Sequence, residues 1–284
     1  MARTANFCDL PEEYSTLNRA EVVILPVPYD ATSTWIKGAD KGPAAIIEAS
    51  GHMELYDIEM DSQVYQKGIY TAEPVDVGND PDDMVEAVRE KVGYYIDDGK
   101  FVVVLGGEHS VSIGSVMAHV SQGKDITVLQ LDAHSDLRDE YEGSKYNHAC
   151  VMARIKELCP IVQVGIRSMD YSEKAAVDKT RVFFAESIYR DKDWKKKVLS
   201  RLSDRVYITI DIDVFDPSVV PSTGTPEPGG LLWYDVLVLL KSVFDDKEVV
   251  GFDVVELCPD ERNKAPDFLA AKLIYKLLSY KFKD

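Results

Sequence analysis

Cysteine is scarce in this sequence, and its few residues form no metal-binding or redox motif. Cys8, Cys150, Cys159 and Cys258 include no C-x-x-C pair, which excludes a zinc ribbon and a thioredoxin-type site. Long apolar runs are also missing, since no stretch approaches the roughly 18 apolar residues that span a bilayer. Residues 1–17 carry charges and no continuous apolar core, so we expect no secretion signal there. These absences predict a protein of the reducing cytoplasm.

Positive charge is in deficit as well. The chain has 32 Lys and Arg against 49 Asp and Glu, a net charge of −17. Such a chain repels phosphate backbones and anionic membrane surfaces, so we expect no nucleic acid and no membrane among its partners. Hydrophobic residues make up 45% and charged residues 29% of its 284 residues, values typical of a globular protein with a sizeable core.

Short β-branched runs alternate with helical patterns along the whole chain. The runs occupy residues 21–26, 66–71, 101–105, 126–131, 161–165, 181–184, 206–211 and 249–255. The helical patterns occupy residues 43–49, 81–97, 111–120, 149–158, 193–202, 233–244 and 265–280. Most runs are continuously apolar, as parallel strands covered on both faces are. This alternation predicts a three-layer α/β/α fold with a doubly wound, mainly parallel sheet of eight strands.

We expect one domain over residues 1–284, because no long linker rich in Pro, Gly or Ser divides the chain. Residues 221–230 are dense in Pro and Gly, but they fall between a predicted strand and a predicted helix. That position predicts a loop at the active site rather than a linker.

Acidic residues and histidines lie within or just after the carboxyl ends of four of the apolar runs. These residues are His109, Asp132, His134, Asp136, Asp211, Asp213, Asp253 and Glu256. In an open parallel sheet, ligands bind beyond the carboxyl ends of the strands. Burying a carboxylate without a partner is costly, so clustered acids at strand ends require cations to neutralise them.

The spacing of these residues indicates a metal centre. In the extended segment D-x-H-x-D, alternate side chains share one face, so Asp132, His134 and Asp136 can converge on one point. Asp211 and Asp213 are spaced in the same way. With the histidine of G-G-E-H-S the set holds two imidazoles and four carboxylates, too many for one zinc ion but suited to a pair of divalent ions of manganese character. Each motif alone has a structural reading (a helix-capping turn, a surface loop, an acidic strand end), and their combination favours the metal site.

The motifs together resemble those of the ureohydrolase superfamily of arginases and agmatinases. They are G-G-E-H-S, L-D-A-H-S-D, I-D-I-D-V-F-D-P and T-G-T-P-E-P-G-G-L, and the resemblance, closest to the agmatinase branch, extends from about Val22 to the C-terminal helix. It implies two Mn²⁺ per subunit and a homo-oligomer, either a trimer or a hexamer. It also implies a ligand set: His109 and Asp136 for the first ion, His134 and Asp213 for the second, and Asp132 and Asp211 bridging both.

The resemblance also implies the chemistry of the site. A hydroxide bridging the two ions attacks the guanidinium carbon, and Asp136 accepts its hydrogen bond. His148 matches the family's proton shuttle to the leaving amine, although Ala149 stands where family members commonly carry glycine. Glu256 matches the carboxylate that binds the guanidinium, a cation that stays protonated at neutral pH. Thr225 either contacts the substrate near the reacting centre or only shapes its loop.

The distal end of the substrate separates the candidate activities. Residues 137–146 carry three acids, which would repel a substrate carboxylate and so favour a neutral or cationic tail. Asp170 is a candidate for binding a tail amine. Arg138, however, could pair with a carboxylate, and the whole loop could be a solvated one. We therefore predict an agmatinase, which converts agmatine and water to putrescine and urea. Alternatives are a guanidinobutyrase, an arginase, another guanidino hydrolase, or a non-catalytic paralogue that binds another protein.

Three further residues resemble metal ligands but are predicted not to be. His52 and His119 lack acidic neighbours at ligand spacing, so we expect structural or surface positions for both. Asp216 precedes Pro217, and Asp-Pro favours turn initiation, so we expect it to cap a turn.

Overall fold

Eight parallel strands form a single sheet in this computed structural model, which describes residues 6–123 and 125–283. The strands are β1 Val22–Val27, β2 Ile69–Thr71, β3 Phe101–Gly106, β4 Ile126–Leu131, β5 Ile161–Ile166, β6 Val182–Phe184, β7 Arg205–Asp211 and β8 Glu248–Val255. Their order is β2-β1-β3-β8-β7-β4-β5-β6, and every neighbouring pair is parallel. The predicted fold class is confirmed. Residues 1–5, within the segment predicted to lack a secretion signal, lie outside the described residues.

Helices cover both faces of the sheet. They are α1 Glu12–Ser15, α2 Gly42–Ser50, α3 Pro81–Asp97, α4 Val111–Val120, α5 Val151–Lys156, α6 Ala185–Arg190, α7 Trp194–Leu199, α8 Trp233–Asp246 and α9 Ala265–Lys281. Helices α3, α4 and α5 pack together on one face, and α2, α7, α8 and α9 form the layer on the other. Helix α3 starts at Pro81, where the sequence indicates, because the Asp80 side chain caps it by accepting from the backbone N–H groups of Asp82 and Asp83.

The sequence patterns missed α1 and α6 and overestimated α5 and α7. Helices α1 and α6 have four and six residues, too few for an apolar period to emerge. The predicted helix over 149–158 is shorter because Asn147 caps a separate helical turn at His148–Cys150, and regular helix starts only at Val151. Helix α7 likewise occupies only the middle of the predicted segment 193–202.

The core lies on both faces of the sheet, as the continuously apolar strands require. In β1, Val22 and Ile24 point into one apolar cluster, and Val23 and Leu25 point into the other. All four side chains are fully buried. Alternate residues of a strand face opposite sides, so a strand covered on both faces must be apolar at every position.

Four adjacent strands in the middle of the sheet carry the predicted site. In the order β3-β8-β7-β4, their carboxyl ends lead to His109, Glu256, Asp211 and Asp132 respectively. Parallel strands end at the same edge, so these side chains are brought together there. No helix within the described ranges is both long and apolar enough to cross a membrane.

Candidate metal centre

The six predicted metal ligands meet at the carboxyl edge of the sheet. The Nδ1 atom of His109 lies 3.1 Å from Asp132 Oδ2, 3.0 Å from Asp136 Oδ2 and 3.5 Å from Asp211 Oδ2. The Nδ1 atom of His134 lies 2.8 Å from Asp213 Oδ2 and 3.7 Å from Asp132 Oδ1. Five of the six side chains are buried, and His134 is partly exposed. The arrangement is a compact group of hard oxygen donors and imidazoles.

Two overlapping groups of side chains have the geometry to hold an ion each. One group is His109, Asp132 and Asp211, and the other is Asp132, His134 and Asp213. Asp132 belongs to both groups, the position expected of a bridging carboxylate. Asp211 belongs to the first group, and Asp136 approaches the same His109 nitrogen. Two ions a few ångströms apart with a shared carboxylate fit this donor set.

A chain of hydrogen bonds orients the ring of His109. Its Nε2 lies 2.9 Å from Thr209 Oγ1, and that hydroxyl donates to Asp253 Oδ1 at 2.6 Å. The single hydroxyl hydrogen is committed to Asp253, so the ring must donate from Nε2. Within the described part of the chain, the buried Nδ1 has no hydrogen-bond partner of good geometry. A bare ring nitrogen facing carboxylates is a site for a cation, so the residues fit a bound metal ion.

The pKa shifts within the cluster also favour the binding of cations. Burial, followed by the charges of Asp136 and Asp213, raises the pKa of Asp132. Burial and the charges of Asp213 and Asp132 raise the pKa of Asp211. Burial lowers the pKa of His134, but the charge and hydrogen bond of Asp213 outweigh it and raise that pKa. Positive charge bound between them would offset the burial and the repulsion that raise the pKa values of Asp132 and Asp211.

Three buried polar residues that the sequence reasoning missed support the loop carrying His134 and Asp136. Gln130 donates to Asp132 Oδ2 at 2.7 Å, and Gln163 donates to the Ser135 carbonyl at 2.8 Å. The Glu173 carboxylate accepts from Ser135 Oγ at 2.7 Å. A signal for the two glutamines was available, because each is an amide side chain in a mostly apolar strand, and the two are register partners in β4 and β5.

Two site residues have a backbone conformation that side chains rarely adopt. Asp136 has φ 51° and Glu256 has φ 65°, both in the left-handed region that favours glycine. Such strain persists only where the surrounding structure enforces it, and it is common at functional sites. Both residues were predicted to act in the reaction.

A cavity of about 300 Å³ opens beside the cluster. Its walls include every predicted substrate and proton-transfer residue, namely His148, Glu256, Thr225 and Asp170. Thr225 is exposed in the wall. The carboxylate of Asp170 caps a short helical turn by accepting from the backbone N–H of Ser172. Asp216, in contrast, accepts from the N–H groups of Ser218, Gly229 and Gly230, as expected of a turn cap.

Glu256 is placed to bind a cation at the base of the cavity. Its Oε1 accepts from the backbone N–H of His109 at 2.6 Å. Burial, and then the charge of Glu108, raises the pKa of Glu256 well above its ordinary value. A positively charged ligand would offset both effects by pairing with the carboxylate.

Comparison with known proteins identifies the family. Residues 20–279 match the Arginase family. An N(1)-aminopropylagmatine ureohydrolase of Synechocystis is 40% identical over 272 residues, 92% of this chain and 89% of that protein. An agmatinase of Pyrococcus horikoshii is 34% identical over 262 residues, 91% of each chain. The crystal structure of the agmatine ureohydrolase of Thermoplasma volcanium matches with a TM-score of 0.89 at 31% identity, covering 99% of this chain and 95% of that one. The chain therefore belongs to the arginase family, and within it to the ureohydrolases that resemble agmatinases.

Proposed function

We propose that this protein hydrolyses the guanidino group of a linear guanidinoalkyl amine and releases urea and the free amine. Agmatine is the first candidate substrate, and its products would be putrescine and urea. One observation carries the proposal: five of the six potential metal ligands share a single cavity with Glu256 and His148. A cation-binding carboxylate, a proton donor and a metal centre are thus accessible to the same small molecule.

We propose Mn²⁺ as the ion at both metal positions, two per subunit, held by the two groups that share Asp132. When bound, the ions would supply a nucleophile at neutral pH, because divalent cations lower the pKa of water. Asp136 would accept a hydrogen bond from the attacking water. Glu256 would pair with the guanidinium and orient its carbon.

His148 would donate a proton to the nitrogen that leaves. Cleavage of the bond between the guanidino carbon and the alkyl nitrogen produces an amine, which is a poor leaving group unless it is protonated as the bond breaks. Histidine exchanges protons near neutral pH, and His148 lines the cavity. The balanced result is one urea and one alkylammonium ion from one guanidinium ion and one water.

The outer wall of the cavity favours a cationic tail over a carboxylate. The Arg138 guanidinium stacks on the Tyr141 ring, 4.3 Å from its centroid. The same guanidinium lies 3.8 Å from Asp170 Oδ2. Arg138 is therefore engaged by Tyr141 and Asp170, and the half-exposed Asp170 carboxylate adds negative charge to the wall that a tail amine would meet. A substrate carboxylate at this wall would face unfavourable charge.

N(1)-aminopropylagmatine is a second candidate substrate. The Synechocystis relative bears this substrate in its name, as does a relative from Thermus thermophilus that is 41% identical over 274 residues, 95% of this chain and 93% of that protein. This compound is agmatine with an additional aminopropyl group, so its tail is longer and carries one more cation. The exposed Trp35 and Asp170 at the cavity wall offer an aromatic face and a carboxylate to such a tail.

A substrate panel tests the proposal. The purified protein, supplied with Mn²⁺, is assayed for urea release from agmatine, N(1)-aminopropylagmatine, arginine and 4-guanidinobutyrate. We expect both amines to be cleaved, with kcat/KM for the two carboxylates lower by roughly 100-fold or more. The ratio of kcat/KM between the two amines decides which is the preferred substrate. Fastest cleavage of arginine or guanidinobutyrate would refute the cationic tail, and urea from none of the four would refute the activity.

The variant Glu256→Gln separates guanidinium binding from metal binding. Loss of the charged acceptor should lower kcat/KM for agmatine by roughly 10- to 100-fold. Metal content should stay at the wild-type value, because Glu256 belongs to neither metal-binding group. A variant that keeps full kcat/KM would contradict the role of Glu256.

Domain organisation, cellular location and oligomeric state remain predictions for this protein. We propose one domain over residues 1–284, a cytoplasmic location, and a homo-oligomer that is a trimer or a hexamer. Light scattering of the purified protein measures the mass of the assembly against the 31.8 kDa chain.

A further inference from the structure

A buried carboxylate lies behind the candidate proton donor. The side chain of Glu108 is 0% exposed, and its Oε2 accepts from the backbone N–H groups of Thr32 at 2.6 Å and Ser33 at 3.1 Å. Its Oε1 accepts from the hydroxyls of Thr32 at 2.5 Å and Ser110 at 2.6 Å. All four partners are donors, so both carboxylate oxygens of Glu108 act as acceptors. Glu108 thereby holds residues 32–33 at the edge of the sheet.

The Thr32 hydroxyl connects this carboxylate to His148. It accepts from the backbone N–H of His148 at 3.0 Å and lies 3.2 Å from the Nδ1 of the same residue. A hydroxyl has one hydrogen to donate, and this one goes to Glu108. The contact with the ring therefore requires His148 to donate from Nδ1. The neutral ring then carries its hydrogen on Nδ1, and Nε2 is the nitrogen left to serve the cavity that His148 lines.

We propose that Glu108 and Thr32 are positioning residues for His148, which fix its tautomer and orient Nε2 to exchange a proton with the substrate. The proposal rests on the function proposed above. In its protonated form His148 would give the Nε2 proton to the departing amine nitrogen. The Nδ1 hydrogen remains hydrogen-bonded to the Thr32 hydroxyl oxygen. The Thr32 hydroxyl hydrogen remains hydrogen-bonded to Glu108.

The metal centre contains the same arrangement with the opposite ring nitrogen. There, Asp253 accepts from Thr209, and Thr209 accepts from Nε2 of His109, so Nδ1 is free. At His148 the threonine binds Nδ1, so Nε2 is free. In both cases a carboxylate uses up the threonine hydrogen and thereby determines which nitrogen of the histidine is left bare.

Nitrogen NMR of the full-length protein tests the tautomer directly. The protein is labelled with ¹⁵N-histidine and loaded with diamagnetic Zn²⁺, and the sequence has only five histidines. The His148 signals are identified by their loss in His148→Gln. At a pH where the ring is neutral, we expect Nδ1 to be protonated and Nε2 to be bare. A neutral ring with its hydrogen on Nε2 would overturn the proposal.

The matched variants Thr32→Val and Thr32→Ser test the hydroxyl. Valine has nearly the shape of threonine and keeps the backbone N–H that binds Glu108, but it lacks the oxygen. We expect Thr32→Val to lose the tautomer preference and to lower kcat roughly 10- to 100-fold, part of the contribution of proton-transfer catalysis. KM should change by less than about threefold, since Thr32 does not hold the guanidinium. Serine should restore the wild-type tautomer and most of kcat. An unchanged tautomer and kcat in Thr32→Val would overturn the role of Thr32.

Glu108→Gln gives a result that a purely structural role would not produce. The glutamine oxygen would face the N–H groups of Thr32 and Ser33, so its amide group would donate to the Thr32 hydroxyl. Thr32 would then give its own hydrogen to Nδ1 of His148, and the ring hydrogen would move to Nε2. We expect this inverted tautomer together with a lower kcat and unchanged metal content. A Glu108→Gln variant with the wild-type tautomer would overturn the role of Glu108.

The two readouts distinguish failure of this proposal from failure of the proposed function. The predicted tautomer in a protein that releases no urea would refute the activity and leave the orientation of His148 intact. Urea release by a protein with the opposite tautomer would refute the positioning role alone.

Discussion

Asp132 is the side chain that both potential metal groups share. Its Oδ1 accepts from the His134 N–H at 2.5 Å, and its Oδ2 accepts from Gln130 at 2.7 Å. These donors hold the carboxylate between the two histidines. Removal of its charge should therefore affect both ions, whereas removal of a ligand at one end should affect mainly one.

The substitution Asp132→Asn tests this shared position. Asparagine has the same size but no charge and one acceptor oxygen, so we expect metal affinity to fall by about 100-fold or more. Elemental analysis after dialysis measures ions bound per chain. Asp204→Asn is the control, because it makes the same chemical change at a fully exposed side chain. Full metal content in Asp132→Asn would contradict the bridging role.

His119 makes stability depend on pH. Its ring is buried, donates from Nδ1 to the Ser115 carbonyl at 2.8 Å and packs on Tyr207 with ring centroids 4.8 Å apart. Its Nε2 has no partner among the described residues. Burial lowers the pKa of His119 from 6.5 to about 4, so between these values the unfolded chain binds a proton that the folded chain does not. His119 therefore destabilises the fold progressively as pH falls from about 6.5 to about 4, by up to roughly 3 kcal/mol.

Comparison with His119→Gln isolates this effect from the titration of the acidic cluster. Urea unfolding of both proteins between pH 7 and pH 4.5 gives two curves of unfolding free energy against pH. The wild-type curve should fall more steeply toward low pH, because glutamine does not titrate. Parallel curves would mean that His119 titrates normally in the folded protein.

The contact between α3 and α4 depends on a glycine. An added Cβ at Gly114 of α4 would overlap the Val85 carbonyl oxygen of α3 and lie 2.9 Å from Val88 Cβ. The two helices can approach this closely only without a side chain at that position. Glycine has a low intrinsic helix propensity, so packing and not propensity explains the residue.

Two glycine substitutions separate these effects. Gly114→Ala should lower the free energy of unfolding by about 1–3 kcal/mol through overpacking. Gly93→Ala, in α3, should raise it by about 0.5–1 kcal/mol through helix propensity, because a Cβ there meets no described atom within 4 Å. Denaturant midpoints measure both. A stabilised Gly114→Ala would show that the helices move apart at little cost.

The molecule is strongly acidic as a whole and buries a cluster of carboxylates at one edge of its sheet. The chain has a net charge of −17, and mutual repulsion raises the pKa values of Asp132 and Asp211 beyond the effect of burial. Ions that bind the folded chain but not the unfolded chain stabilise the folded state by mass action. Folding stability and metal binding are therefore linked in this protein.

Removal of metal should lower the thermal stability of the protein. A free ion concentration of 100 times Kd adds about 2.7 kcal/mol, so we expect Tm to fall by a few degrees in chelator and to recover with Mn²⁺. Calorimetry of wild type and Asp132→Asn measures the shift. The variant should show a smaller change, and an equal shift in both proteins would point to metal binding elsewhere.

Most of the fold and the six converging residues could be predicted from local patterns. Each strand is a short apolar run. The residues that follow the run lie at the end of the strand, and this position depends only on the local sequence. The supporting residues could not be predicted in this way. Thr32 contacts Glu108 and His148 across 76 and 116 residues, and nothing near Thr32 in the sequence indicates either partner.

The amino-acid sequence thus specifies the strands, the ligand types and the spacing that puts alternate carboxylates on one face, because these depend on neighbours along the chain. The order β3-β8-β7-β4 depends on packing between distant segments, and this order makes His109, Asp132, Asp211 and Glu256 one site. Hydrogen bonds that determine which nitrogen of His109 and of His148 is bare also exist only after folding, since carboxylate, threonine and histidine come from separate elements.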